Sequence, residues 1–433
     1  MKKYFFVVIV FATISTIGQT WTSYTTTEGL INNKVKAVAS DISRGLMWFA
    51  TDKGVSSFDG TTWKSYEDQG SGPVEFTSGT LVGGNENKVK SIFVDSNDNV
   101  WFGTKKSIWK YDGTTWYLFN KTTNPSDGNT YSGNISNNVV NGISEDTTGR
   151  MWFATKIGGS LLYDVLGTIT WKNFDLDNLN LGPNVKVNAV SCSSNGDVWF
   201  GTDAEGAYLL QNGNDPLVAV NWDNYTIPNL IDDKVKAIDT DSNNHVWFGT
   251  DVGVSEFDNA TTWTDYLTSD GLVHDKVKAV FVDSDDFIWF GTNGGVSRYD
   301  NFSVWTTYTN ANTSGGLINN KIKGISFDAN TGNFWFATDG GVSKLSGIIL
   351  SIKDVTQNEI SLSYYPNPHN KIVTIKFDEQ YNQVLFTLVD VKGQIVKKDK
   401  YRNKNIIKVD MSVLSKGIYF GKIVTEKVFQ RLK

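Results

Sequence analysis

The residues of this chain with the most regular chemical spacing are lysines. Lysine occupies one place of a recurring stretch at Lys34, Lys88, Lys186, Lys234, Lys276 and Lys321, and Val139 breaks the set. A second lysine follows two residues later at Lys36, Lys90, Lys236, Lys278 and Lys323. Residues two apart on a strand project from the same side, so each pair is expected to share a face, near the aspartates Asp52, Asp203, Asp251 and Asp339 of a later turn. Two chemistries fit. One is a circle of Lys to Asp pairs between adjacent units, each adding ~0–1 kcal/mol if exposed. The other is a focused positive potential that draws in an anionic ligand such as a uronic-acid or sulfated sugar.

Other constellations are sparse. The sequence has no G-x-S-x-G, H-E-x-x-H, Walker-type Gly-rich loop or C-x-x-C. Its histidines, His245, His274 and His369, do not pair at ligand spacing and read as surface polar residues. Cys192, the only cysteine, sits in the strand-like "NAVSC" with no base nearby, and reads as a core thiol. The carboxylate-rich turns at 95–99, 241–245 and 283–287 look like the first half of a calcium loop. The Gly and Glu that complete such a loop are missing, and Asp and Asn also make good turns. No metal or cofactor is expected.

The elements that position these residues repeat. Trp-Phe recurs at Trp48, Trp101, Trp152, Trp199, Trp247, Trp289 and Trp335. Around each pair lie an alternating strand ending in an Asp-rich turn, a short apolar strand, a Gly turn, a third strand, and a fourth strand carrying W-x-x-Y/F. Four antiparallel strands per ~45 residues is the sign of a propeller blade, so seven units imply an all-β, seven-bladed β-propeller. The seventh unit lacks its fourth strand, and the orphan Trp21-x-x-Tyr24 is expected to supply it and close the ring. Fourteen of the 15 Trp then belong to repeating core positions, which leaves Trp109 as a contact candidate. Two long loops, 67–87 and 120–138, carry Phe76 and Tyr131. They are expected on the lysine face beside blades one to three, as a sugar site.

Charge and hydropathy divide the chain further. Residues 1–18 read as a secretory signal, with two lysines and an apolar run too short to span a membrane comfortably. The propeller occupies 19–347, a linker 348–363, and a small Ig-like β-sandwich 364–433. This last segment holds 14 Lys plus Arg against 6 Asp plus Glu, which leaves a net −14 on the rest of a chain whose total is −6. An acidic main body excludes nucleic acid as a general partner. No membrane span is expected in the mature protein.

"YPNP" at 365–368, "DVKGQ" at 390–394 and "MSVLSKGIY" at 411–419 resemble, in order, the motifs of the type IX secretion C-terminal sorting domain. The resemblance implies that Pro366, Asn367, Pro368, Asp390, Gly393, Leu414, Gly417 and Tyr419 form an address read by the outer-membrane translocon and sorting machinery. The repeats, of which "KVKAVFVDSDDFIWFGTNGGVSRYD" is a full copy, resemble the two-component regulator propeller family. That family's propellers are usually extracytoplasmic sensors of hybrid histidine kinases, often responding to oligosaccharides. The kinase and response-regulator segments are not found in this sequence. The resemblance implies an exported, non-catalytic, carbohydrate-binding propeller on the cell surface or in the medium. A propeller-fold polysaccharide lyase or glycoside hydrolase and a protein-binding adhesin disc are the alternatives.

Overall fold

The computed structural model describes residues 19–66, 88–122, 124–125, 129–174, 185–301, 304–347, 362–367, 372–390, 395–412 and 419–425. Its described residues fall into two compact units, 18–348 and a second that includes 349–433. The segment 1–18 read above as a secretory signal, most of the expected linker and Phe76 lie outside the described residues.

The first unit is a β-propeller. Its first sheet runs through Val35–Asp41, Leu46–Thr51, Gly54–Phe58 and Trp63–Tyr66, each strand antiparallel to the one before. Five more sheets repeat this order, with first strands Val89–Val94, Val140–Glu145, Val187–Cys192, Val235–Thr240 and Val277–Val282. In the seventh, Ile322–Asp328, Asn333–Thr338 and Gly341–Ser346 are joined by Thr20–Tyr24. Trp21 lies opposite Leu345 and Tyr24 opposite Val342. The seven first strands neighbour one another in a closed cycle, sheet seven returning to sheet one, and so surround the axis.

Burial explains why the sequence folds this way. Second strands such as Val198–Thr202 are covered along their whole length, as their continuous apolar runs require. The indoles of Trp48, Trp152, Trp199, Trp247 and Trp289 are fully buried and pack on rings of the next sheet, as Trp48 does on Phe102 at 5.4 Å. The Asp-rich turn anchors the same indole in four sheets. Asp41, Asp95, Asp146 and Asp283 accept the indole N–H of Trp48, Trp101, Trp152 and Trp289 at 2.7–3.2 Å. Asp95 also accepts the backbone N–H groups of Asn97 and Asn99. These carboxylates are engaged as turn caps, and among the described residues no group of acids, His and Cys is placed to hold a metal.

Trp21 fills the place that fourth-strand tryptophans fill elsewhere. Gly29 and Gly271 pack so closely on Trp63 and Trp305 that a Cβ there would stand 2.8 and 2.5 Å from them. Gly316 meets Trp21 in the same way, at 2.4 Å. The N-terminal strand is therefore the structural equivalent of the other fourth strands.

In the second unit, Ile372–Asp390 pairs with Leu362–Asn367, Ile395–Asp410 and Tyr419–Thr425 in one antiparallel sheet over a core of Ile375, Phe377, Val384, Phe386, Ile407 and Val409. The apolar runs "IVTIKF" and "QVLFTLVD" belong to one long strand, Ile372–Asp390, with a register shift between Lys376 and Tyr381. No Gly or Pro lies between them to turn the chain, so the strand continues through an irregularity instead.

Candidate functional site

The lysines stand where the first strands begin. In every sheet the second-lysine place is an extra residue. Val35 pairs with Thr51 and Ala37 with Ala50, which leaves Lys36 unopposed, and the same shift occurs at Lys90, Asn141, Asn188, Lys236, Lys278 and Lys323. A bulge re-aims its side chain. The simple alternation expected from the sequence therefore fails here, and Val35 and Val38, three residues apart, are the buried pair.

Carboxylates bind the two lysines of a pair differently. The first lysine reaches the aspartate of its own sheet, as Lys186 reaches Asp203 at 3.3 Å and Lys234 reaches Asp251 at 3.4 Å. The second reaches back to the preceding sheet, as Lys236 reaches Asp203 at 2.5 Å and Lys278 reaches Asp251. At the seam, Lys36 contacts Asp52 at 3.6 Å and Asp339 at 4.0 Å, and Lys323 contacts Asp339 at 3.6 Å. Burial alone would raise the carboxyl of Asp203. Hydrogen bonds from Lys236 and Asn188 and the charges of Lys236 and Lys186 outweigh it and hold Asp203 well below the usual carboxylate range. Among the described residues Lys34, Lys88, Lys276 and Lys321 make no ion pair.

The residue after each W-F-x-T stretch also borders this site, including two lysines not singled out above. These residues are Asp52, Lys105, Lys156, Asp203, Asp251, Asn293 and Asp339. Six of them donate a backbone N–H to the carbonyl at the first-lysine place, including Lys105 to Lys88 at 3.3 Å and Lys156 to Val139 at 3.0 Å. The backbone thus holds them equivalently while the charge changes sign. In sheet two Lys90 turns instead to Asn141 of sheet three, its Nζ donating to Oδ1 at 2.7 Å. The signal was present in the sequence as two lysines at an otherwise acidic or neutral place.

Several candidates lie elsewhere. Trp109 is buried, not exposed for contact, and packs with Trp48 and Phe102. It replaces a serine whose Oγ in five other sheets accepts an N–H from the preceding loop, as Ser56 does from Ile31. Tyr131 belongs to a short strand, Thr130–Ser132, that runs parallel to the fourth strand of sheet three. Its ring packs on Phe119 at 5.9 Å. This part of the 120–138 loop thus extends the outer edge of its sheet, away from the lysines, because its aromatic found a core to join. His245 is not a plain surface residue either. Its Nδ1 lies 2.8 Å from Glu256, and Glu256 accepts the Tyr266 hydroxyl at 2.7 Å. Burial pushes the Cys192 thiol up to about 12, as a core thiol requires.

At the opposite ends of the first strands, Glu145, Asp146, Cys192, Ser193 and Asp241 border an open hollow of about 400 Å³. Its acids are occupied by Ser96, Arg150 and backbone N–H groups. Of the sorting-motif residues, Pro366, Asn367, Asp390 and Tyr419 lie on strands, and Asp390 pairs with Tyr419, bringing two motifs together. Pro368, Gly393, Leu414 and Gly417 lie outside the described residues.

The fold and this site define an all-β propeller protein with a separate C-terminal module. Residues 83–106, 134–156 and 271–294 match the Two component regulator propeller family, and residues 363–433 match the Secretion system C-terminal sorting domain. The chain carries both, and the sorting domain marks it for the secretion machinery and for the cell surface or medium. No curated protein matches the sequence. Among solved structures, a streptogramin B lyase is 16% identical with a TM-score of 0.56, over 77% of this chain and 99% of that one. PorZ, an essential surface component of the type-IX secretion system of Porphyromonas gingivalis, is 16% identical with a TM-score of 0.54, over 92% of this chain and 59% of that one. The extracellular domain of a putative one component system from B. thetaiotaomicron is 16% identical with a TM-score of 0.52, over 91% of this chain and 55% of that one. This chain therefore spans less than two thirds of the length of the last two. At these identities the likeness is one of fold. Among the described residues no helix is long and apolar enough to cross a membrane.

Proposed function

We propose that this is an exported, non-catalytic saccharide-binding protein: a seven-bladed propeller over 19–347, closed by its N-terminal strand, followed by a linker and an Ig-like sorting sandwich over 364–433. The signal segment 1–18 starts the export that the sorting domain completes. One observation carries the binding role. At the starts of the first strands stand eleven lysines, with Lys105 and Lys156 beside them, and among the described residues the carboxylates that form ion pairs with them are Asp52, Asp203, Asp251 and Asp339. Pairing uses part of this charge, and the remainder is available to a ligand. The extracellular sensor and PorZ folds agree with a surface role without assigning a ligand.

A protein-binding disc is the second reading, favoured by exposed apolar residues on the outer hairpins of sheets three and four: Val165, Leu166, Leu217, Val218 and Val220. A lyase or hydrolase would need acid and base groups converging on the lysine mouth.

The experiment is a glycan array of the full chain with acidic and neutral oligosaccharides, followed by product analysis of each hit. Saturable binding without turnover is expected. Turnover would make the protein an enzyme. Silence across the array, with capture of a surface protein that is lost in Leu166→Asp, would make it a disc.

A further inference from the structure

The seven sheets do not contribute equally to the lysine mouth. Sheets four, five, seven and one each place a carboxylate after the second strand, and every one of those carboxylates carries at least one lysine. Sheet six places Asn293 there, and its Lys278 is drawn back to Asp251. Sheets two and three alone place lysines, Lys105 and Lys156, both exposed. With Lys88 and Lys90 they form a sector of four cations, and among the described residues none of the four has a carboxylate partner.

Two features distinguish the sector further. Lys90 is partly buried beside Asn141, and burial, followed by the charges of Lys186, Lys105 and Lys156, lowers it to about 8. Cations crowd there without the counter-charge that sheets one, four, five and seven supply. The next residue, Ser91, is 8% exposed, and its Oγ has no hydrogen-bond partner. The equivalent residues of the other sheets are Ala37, Gly142, Ala189, Ala237, Ala279 and Gly324, so a hydroxyl occurs at this place in sheet two alone.

A repeat that places an acid at this turn in most sheets and a base in two neighbouring ones leaves a localised, unneutralised field. Lysines bind anions as point charges and accept sulfate or carboxylate in many orientations, unlike the planar fork of arginine. The amide of Asn141 adds a neutral polar group beside them. Resting on the saccharide-binding reading above, we infer that the sector of Lys88, Lys90, Lys105 and Lys156 is an off-axis site for an acidic saccharide bearing two or more sulfate or carboxylate groups.

The test uses calorimetric titration of the full chain with a chondroitin sulfate tetrasaccharide, an oligogalacturonate and a neutral cello-oligosaccharide. Lys105→Asp with Lys156→Asp installs the residue that sheets four and five already carry, so the fold should tolerate it. Lys64→Asp with Lys404→Asp serves as a control at exposed lysines outside the starts of the first strands, and Lys90→Gln as a milder second probe. Each reversal in the sector is expected to weaken binding of an acidic probe about tenfold, equivalent to 1.4 kcal/mol, and the control to change it less than twofold. The sulfated and uronate probes separate the two sources of charge. Equal losses in both double variants, or loss in the control alone, would overturn the sector while leaving the saccharide reading in place. Binding of the neutral probe alone would have the same effect. Absence of binding by all three probes would remove the saccharide reading and this inference together.

Discussion

Replacing Trp21 tests whether the N-terminal strand holds the ring shut. Trp21 packs on Tyr308 of sheet six and Phe336 of sheet seven, each at 5.6 Å, while Tyr24 packs on Phe58 and Trp63 of sheet one at 5.3 and 5.5 Å. One five-residue strand thus touches both neighbours of the seventh sheet. An aromatic side chain buries 150–250 Å², and Trp21 is mostly covered, so about 150 Å² is shielded from water. At about 25 cal/mol per Å² this amounts to about 4 kcal/mol, reduced to about 3 kcal/mol by residual burial in the unfolded chain. Trp21→Ala should therefore lower the unfolding free energy by about 3 kcal/mol, read from the urea midpoint at constant slope. Trp63→Ala, in the equivalent niche of sheet one, should cost a similar amount. Beyond sheet seven, which they touch at Phe336 and Trp335, the two rings reach opposite neighbouring sheets, so Trp21→Ala with Tyr24→Ala should approach the sum of the single losses. A loss below about 0.5 kcal/mol for Trp21→Ala, beside a full loss for Trp63→Ala, would refute the reasoning.

Asp239 should give stability a distinct pH dependence. Burial pushes its carboxyl up to about 6, against hydrogen bonds from the N–H groups of Val282 and Thr240. The folded chain then holds this proton at higher pH than the unfolded chain. The group's contribution is full below about pH 4 and is lost as pH rises through 6. Asp239→Asn should remove that slope, and parallel stability curves for the two proteins would refute the assignment. Cys192, whose thiol is pushed up to about 12, should resist a disulfide reagent at pH 8 and react with one equivalent only after unfolding. Rapid labelling of the folded protein would show an activated thiol instead.

The strands were legible because their signals are local. Alternation, Gly turns and W-x-x-Y/F read the same in every unit, and even the displaced strand at Trp21 was recognisable, since a strand must find an edge. The bulge at Lys36 and its equivalents was not legible. No residue type marks it, and it arises from how the first strand meets the second at the crowded centre of the ring. Trp109 was misread for a related reason. Its departure from the repeat suggested a ligand contact, but the niche over sheet two admits an indole where five other sheets use a serine. Tyr131 was likewise drawn into a core cluster with Phe119 and Trp171, a partnership between segments distant in sequence.

The sequence by itself determined the repeating strands, the identity of the closing strand and the two modules, because each follows from residue type and short-range period. Only the tertiary structure decided which charges meet. Asp203 accepts Lys236 across 33 residues, and Lys36 meets Asp339 at the seam between the first and last sheets. Such pairings depend on ring closure and on a bulge that re-aims each second lysine, and neither is encoded in the spacing of the lysines themselves. Packing of the second sheet on the third likewise brings Lys105 and Lys156, 51 residues apart in the chain, to neighbouring places at the lysine mouth.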